Sequence, residues 1–324
     1  MHDPAPERPA GIAGPSDALA PSATMVGGGS PSVELEPELL GSELAPDAEF
    51  ETARRGLGFG FWLSVGWLTV IVLLAVLADI LPLEDPNATF VGAPGLGPGL
   101  HHLLGTDELG RDLLSRVIFG SRVSLIVGFT SIAVGMLIGG SIGLAAGYFR
   151  GKIDAIVTGL ANILLAFPAL VLALAIVTFM GPSLFHVTLA ISILAIGPLT
   201  LLVRGSTIVF SQREFVVAAR LLGAKSWRVV YREILANVLP GAMSLGLIAV
   251  AVAIVAEGAL SFLGVSVRTP TASWGNMIAE GRIVMVQHPL ITLWPAALMF
   301  LTVLALNFAG DRLRAYFDVR EGAL

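Results

Sequence analysis

The segment Gly105-Thr-Asp-Glu-Leu-Gly110 has the spacing of a loop that cradles phosphate, two glycines with four residues between them. Such a loop needs Lys and then Ser or Thr after its second glycine, to hold phosphate oxygens and Mg²⁺. Arg111 and Asp112 stand there instead, and Asp107 and Glu108 place negative charge where a phosphate would lie. Nucleotide binding is excluded at this segment. His101 and His102 are metal-ligand types, but adjacent residues of an extended segment point to opposite sides, and no further ligand cluster accompanies them. The chain has no cysteine, which excludes thiolate metal sites and a cysteine nucleophile. Neither an H-E-x-x-H pair nor a Ser/His/Asp set is apparent. These residues predict a protein that is not an enzyme and holds no metal or cofactor of its own.

One acid has an unusual setting. Glu257 is the single carboxyl within a long apolar run, toward its end. An ionisable residue inside a membrane segment marks function unless it is satisfied locally. Two readings follow, a functional intramembrane acid or an interfacial one paired with Arg268 or Arg282 or wetted by water.

The elements that must position these residues follow from composition. Of 324 residues, 55% are hydrophobic and 13% charged, against roughly 25% charged in ordinary soluble domains. A bilayer is the solvent that suits such a chain. The net charge of -5 offers no basic field for nucleic acid. Six apolar runs, over about 60–82, 121–149, 154–180, 186–209, 238–263 and 290–309, are each long enough to cross a hydrocarbon core of ~30 Å as helices. The fold class predicted is all-α, a polytopic membrane protein with six transmembrane helices. Residues 1–55, rich in Pro, Gly, Ala, Ser and Glu, read as a disordered tail without the basic start and early apolar run of a signal peptide. The membrane domain is expected over 56–318, and 319–324 as a short C-terminal tail.

Lys and Arg set the direction. With a cytoplasmic N-terminus, only Arg111, Arg116, Arg122, Arg268 and Arg282 of the 19 basic residues lie outside, and the excess belongs inside. Both termini are then cytoplasmic, 83–120 and 264–289 are extracytoplasmic, and 210–237 is a cytoplasmic loop. Ser131, Gly135, Gly139, Gly143 and Gly147 form a small-residue stripe on the second helix, suited to close helix packing or to a smooth wall on a moving pathway. Pro168, Pro198 and Pro295 fall inside the third, fourth and sixth runs and predict kinks.

The cytoplasmic loop predicts two short helices with a turn between them. Gly223 suits the left-handed position that ends the first, and Ser226 the N-cap of the second. Leu221, Leu222, Trp227, Val230 and Tyr231 offer an apolar surface amid Arg220, Arg228 and Arg232. Alone, this segment would suit a DNA-binding helix-turn-helix. Held between two membrane helices, it is better placed to dock in a partner's cleft and transmit a push.

Val217-Ala218-Ala219 with Gly223 and Ile234-Leu235 resembles the EAA loop of ABC importer permeases, which forms a coupling helix seated on an ATPase subunit. Val217 stands where the motif has Glu, and Ala236 where Pro is usual. His102-Leu-Leu-Gly-Thr-Asp-Glu-Leu-Gly-Arg-Asp-Leu-Leu-Ser-Arg116 resembles the outer-loop signature of the dipeptide/oligopeptide/nickel permease family, C-type subunit. Glu257-Gly-Ala-Leu-Ser-Phe-Leu-Gly264, Pro270 and Ser273-Trp-Gly-Asn-Met277 resemble the matching signature of the fifth helix and the loop after it.

The resemblance covers about 56–318. It implies a type I ABC permease in the cell membrane, working with a second homologous permease, two ABC ATPase subunits that bind the ATP and Mg, and an extracytoplasmic substrate-binding protein. It assigns ATPase coupling to Glu214, Val217, Ala218, Ala219, Gly223, Ser226 and Arg228. It assigns the outer gate or binding-protein contact to Asp107, Arg111, Asp112, Arg116, Trp274 and Asn276. Di- or oligopeptides are the expected cargo, moved by alternating access, with nickel, glutathione or another small solute as the alternative. An ion-coupled secondary transporter would need several buried acids and an internal repeat, and only Glu257 is available.

Overall fold

The structure, a computed structural model, describes residues 57–322 and the side chains of 57–317. The tail expected over 1–55 lies outside the described residues. Those described are helical with no strand, because hydrocarbon offers no partner for backbone N–H and C=O groups and a helix satisfies its own. Five helices are long and apolar enough to span: α1 (Gly58–Leu77), α2 (Leu113–Phe149), α5 (Leu184–Phe210), α7 (Ser226–Phe262) and α9 (Leu290–Gly322). A bent pair, α3 (Gly151–Ala166) and α4 (Ala169–Met180), meets at 83°. Its two ends lie at opposite ends of α5. An Arg150 guanidinium nitrogen is 3.5 Å from the Ile208 carbonyl, and Gly181 leads directly to Ser183, which caps the start of α5. The pair therefore crosses once and is the third of six spans. Two short helices, α6 (Glu214–Leu221) and α8 (Trp274–Gly281), lie between spans.

Three boundaries differ from the sequence expectation. α2 begins at Leu113 and not at 121, because Asp112 Oδ2 accepts from the Ser115 amide at 2.8 Å and caps the helix two turns earlier. Ser115, Arg116, Ser121 and Ser124 are buried in those turns, so apolarity could not mark them. Pro168 sits at no kink inside a helix. It breaks the third span, since the residue before proline is driven from helical to extended backbone, and Phe167 has φ -81° and ψ 136°. Pro198, Pro295 and also Pro240 lie within continuous helices. The last helix runs past 309, through Asp311 and Arg312, to Gly322.

The glycine stripe of α2 packs on α5. A Cβ on Gly139 would lie 2.6 Å from the Ile196 carbonyl oxygen and one on Gly147 2.7 Å from that of Arg204, while Gly143 abuts Thr200. Ser131 Oγ donates to the Thr188 carbonyl at 3.0 Å. The stripe is a backbone-to-backbone packing face, and α5 has α2 on one side and α3 on another. There Arg204 grips Asp154 with two prongs, Nη2 to Oδ2 at 2.7 Å and Nε to Oδ1. The central apolar core is built from α1, α2, α4, α5, α7 and α9, around Val127, Val187, Ile254 and Leu306.

Candidate functional site

The loop between α5 and α7 forms one working end. α6 closes with a Schellman turn: the Gly223 amide donates to the Arg220 carbonyl and the Ala224 amide to that of Ala219, both at 3.0 Å. Gly223 has φ +81°, the left-handed conformation expected of it. The second short helix is not separate. Ser226 is the first residue of α7 and Lys225 holds its N-cap position, so Ser226 is no cap. Nothing between 226 and 262 forces the helix to end, and the loop's last element is the fifth span itself.

α6 is anchored by Val216, which is fully buried, and by Ala219. Both pack on a cluster of Leu144 from α2, Val203 and Phe210 from α5, and Val229, Val230 and Ile234 from α7. Val230, expected on the exposed apolar surface, is thus part of the anchor. Leu221, Leu222, Trp227 and Tyr231 do form that surface, with Leu222 89% exposed. Glu214, Val217, Ala218 and Arg228 are exposed beside it. Arg220 lies over the Tyr148 ring, 4.8 Å from its centroid, and ties α6 to the end of α2. The patch is thus packed onto α2, α5 and α7 through one small apolar cluster.

The other working end gathers the segments 83–112 and 264–289. Asp107, Arg111, Asp112 and Arg116 are all buried, and the first, second and fourth pair with one another. Arg111 Nε donates to Asp107 Oδ2 at 2.5 Å, and Arg116 Nε lies 3.4 Å from that same oxygen. Both arginines then reach Glu280 Oε2, Arg111 at 2.9 Å and Arg116 at 3.1 Å. Two positive and two negative groups therefore balance in one cluster, three of them buried and Glu280 31% exposed at its rim, the arrangement that makes burying charge tolerable. Arg116 also donates to the Pro86 carbonyl at 3.1 Å, so it ties both of these segments to the head of α2. Asp112 caps α2 and meets His102 Nδ1 at 3.0 Å. Arg111, Arg116, Glu280, Leu113 and Met277 line a cavity of about 510 Å³ on this side.

Glu257 lies beneath this cluster, with no exposed surface. It pairs with neither Arg268 nor Arg282. Ser261, Ser266 and Ser273 donate to its Oε1 at 2.8, 2.9 and 2.9 Å, and Ser124 to Oε2 at 3.3 Å. Ser124 Oγ in turn accepts from the Trp274 amide at 3.2 Å. Trp274 is fully buried, and its Nε1 donates to the Val117 carbonyl at 3.0 Å. The Asn276 amide donates to Ser273 Oγ at 3.1 Å, and its side chain to the carbonyls of Val267 and Thr271. One carboxyl thus fastens α2, α7, the loop after α7 and the start of α8 together.

The outer residues singled out in the sequence therefore meet, as an internal clasp with side chains turned inward. Glu280, and the role of the four serines as partners of Glu257, escaped sequence reasoning. A lone acid in a polar loop and serines scattered from 124 to 273 carry no spacing signal, and only the fold brings them to one point. Among the described residues, no cluster of acids and histidines has a geometry that could hold a metal.

A family profile described as binding-protein-dependent transport system inner membrane component matches residues 139–321. The chain is 37% identical over 254 residues to the glutathione transport system permease protein GsiD of Pectobacterium atrosepticum, covering 78% of this chain and 84% of that one. It is 38% identical over 291 residues to a putative peptide transport system permease protein of Brucella suis, covering 90% and 97%. To the probable D,D-dipeptide transport system permease protein DdpC of Escherichia coli it is 35% identical over 255 residues, covering 79% and 86%. A chain of the MetNI methionine ABC transporter, solved in inward-facing conformations, shares the fold with a TM-score of 0.51 at 19% identity, covering 64% of this chain and 95% of that one.

Proposed function

Because the chain belongs to the family of binding-protein-dependent transport system inner membrane components, as a multi-pass permease of the cell membrane, we propose that it forms half of a pathway for di- or oligopeptides through an ATP-driven importer. The second half is a homologous permease, two ABC ATPases holding ATP and Mg sit beneath, and an extracytoplasmic binding protein delivers the cargo. The relatives named for peptide, D,D-dipeptide and glutathione transport support a cargo with amide bonds.

The observation that carries this reading is the α6–α7 surface. A large exposed apolar patch rimmed by arginines is a partner site, and this one is anchored to three spans at once. ATP-driven closure of the ATPases pulls on α6, and α2, α5 and α7 move with it to turn the pathway outward. Hydrolysis resets it. The buried outer clasp acts by holding the shape that the binding protein meets. Glutathione itself is the second reading, favoured by the 37% identity to the glutathione permease.

The test is co-purification with the ATPase subunits together with uptake of a labelled dipeptide. Leu222→Glu with Trp227→Glu should abolish both while the permease pair still inserts and assembles. Retained ATPase binding by this variant would remove α6–α7 as the coupling surface.

A further inference from the structure

The third span presents a difficulty that the isolated chain does not solve. Its break lies at mid-membrane: a Cβ on Gly197, the middle of the 27-residue α5, would be 3.5 Å from the Ala161 carbonyl oxygen and 3.7 Å from Leu165 Cγ. At an 83° break the helical ladder stops and resumes only with the Leu172 amide donating to the Pro168 carbonyl. Among the described residues, nothing bonds to the carbonyls of Leu164, Leu165, Ala166 and Phe167 or to the amides of Ala169, Leu170 and Val171. Residues 165–171 are all exposed. One turn earlier Asn162, next to the Ala161 that lies against Gly197, is also exposed and has no hydrogen bond among the described residues.

Hydrocarbon satisfies none of these groups, and each one left bare there costs several kcal/mol. A protein partner would need a matching donor or acceptor for each. Water supplies all of them without such matching. The side chains around the break (Leu165, Phe167, Leu170, Val171) would suit lipid, but the backbone and Asn162 do not.

We propose that Asn162 and the Phe167–Pro168 break face the water-filled pathway of the assembled importer, which makes α3 and α4 part of its wall at mid-membrane. This rests on the reading of the chain as half of that pathway. The wall then offers bare backbone groups and one amide among apolar side chains. Such a surface hydrogen-bonds the amide groups of a peptide in transit and does not discriminate the charge of its side chains.

The chain's lack of cysteine permits a direct test in the full assembly. Single cysteines at Asn162, Ala166 and Ala169 are treated in membranes with a charged, lipid-insoluble thiol reagent and, separately, with a lipid-soluble maleimide. Modification by the charged reagent, reduced by saturating dipeptide, is expected at all three. Modification by the maleimide alone places the break in lipid, and modification by neither places it against protein; either overturns the proposal. As a second variant, Asn162→Leu should lower dipeptide uptake several-fold with assembly and ATPase binding intact, whereas unchanged uptake counts against the proposal. ATPase co-purification is scored on every variant, so failure of the permease reading itself shows separately, as loss of that partner from the unmodified chain.

Discussion

At the scale of single residues, two positions make opposite kinds of prediction. Gly223 has φ +81°, and a Cβ added there meets nothing within 4 Å. Any effect of a larger residue is therefore purely conformational, about 1–2 kcal/mol for an L-residue and most severe for a β-branched one. Gly223→Val should reorient α6 and leave ATP hydrolysis running with little uptake, while Gly223→Asn, which tolerates the left-handed region, should keep most of it. The ratio of uptake to hydrolysis in proteoliposomes reads this directly. Glu257 is the reverse case, where contacts decide everything. Glu257→Ala leaves buried hydroxyls without their acceptor, and each such loss costs about 1–3 kcal/mol. The thermal midpoint of the purified permease should fall by several degrees, and less for Glu257→Gln, which keeps one oxygen. Lost transport at unchanged midpoint would instead make Glu257 a working group of the pathway. That Gly223 needs a left-handed backbone was legible, because a turn signal is local. That Glu257 binds serines was not, because three of its four serine partners lie outside its own helix.

At the scale of elements, the small-residue stripe of α2 could be read from its spacing of four, and its role as a packing face required knowing that α5 lies opposite. Gly143→Leu would drive a side chain into the Thr200 backbone. We expect α2 and α5 to separate and the permease to be degraded or to fail to assemble, measured as its level in membranes, whereas Gly241→Leu, with open space around it, should be tolerated. The start of α2 and the break between α3 and α4 were hidden for a common reason. Hydropathy follows side chains, but Asp112 sets the first boundary by capping and Pro168 the second by restricting Phe167. Backbone chemistry at a single residue outweighs an apolar run of twenty.

At the scale of the whole molecule, the excess of Lys and Arg on one side predicts both termini in the cytoplasm. A reporter active only in the cytoplasm should work when fused after Leu324, and one inserted after Gly97, in the outer segment, should not. The reverse pattern would invert every assignment of inner and outer ends. The sequence by itself determined the membrane class, the six spans, the resemblance to importer permeases and the left-handed turn at Gly223 in the loop between the fourth and fifth spans. Each depends on composition or on neighbours within a few residues, where elementary sterics and solvation suffice. Only the tertiary structure decided that Asp107, Arg111, Arg116 and Glu280 form one charge clasp and that Glu257 fastens four segments. The clasp and the Glu257 cluster each depend on groups distant in the chain reaching hydrogen-bond distance, 164 residues apart for Arg116 and Glu280 and 133 for Ser124 and Glu257. Such meetings are settled by how helices pack, and no local pattern records them.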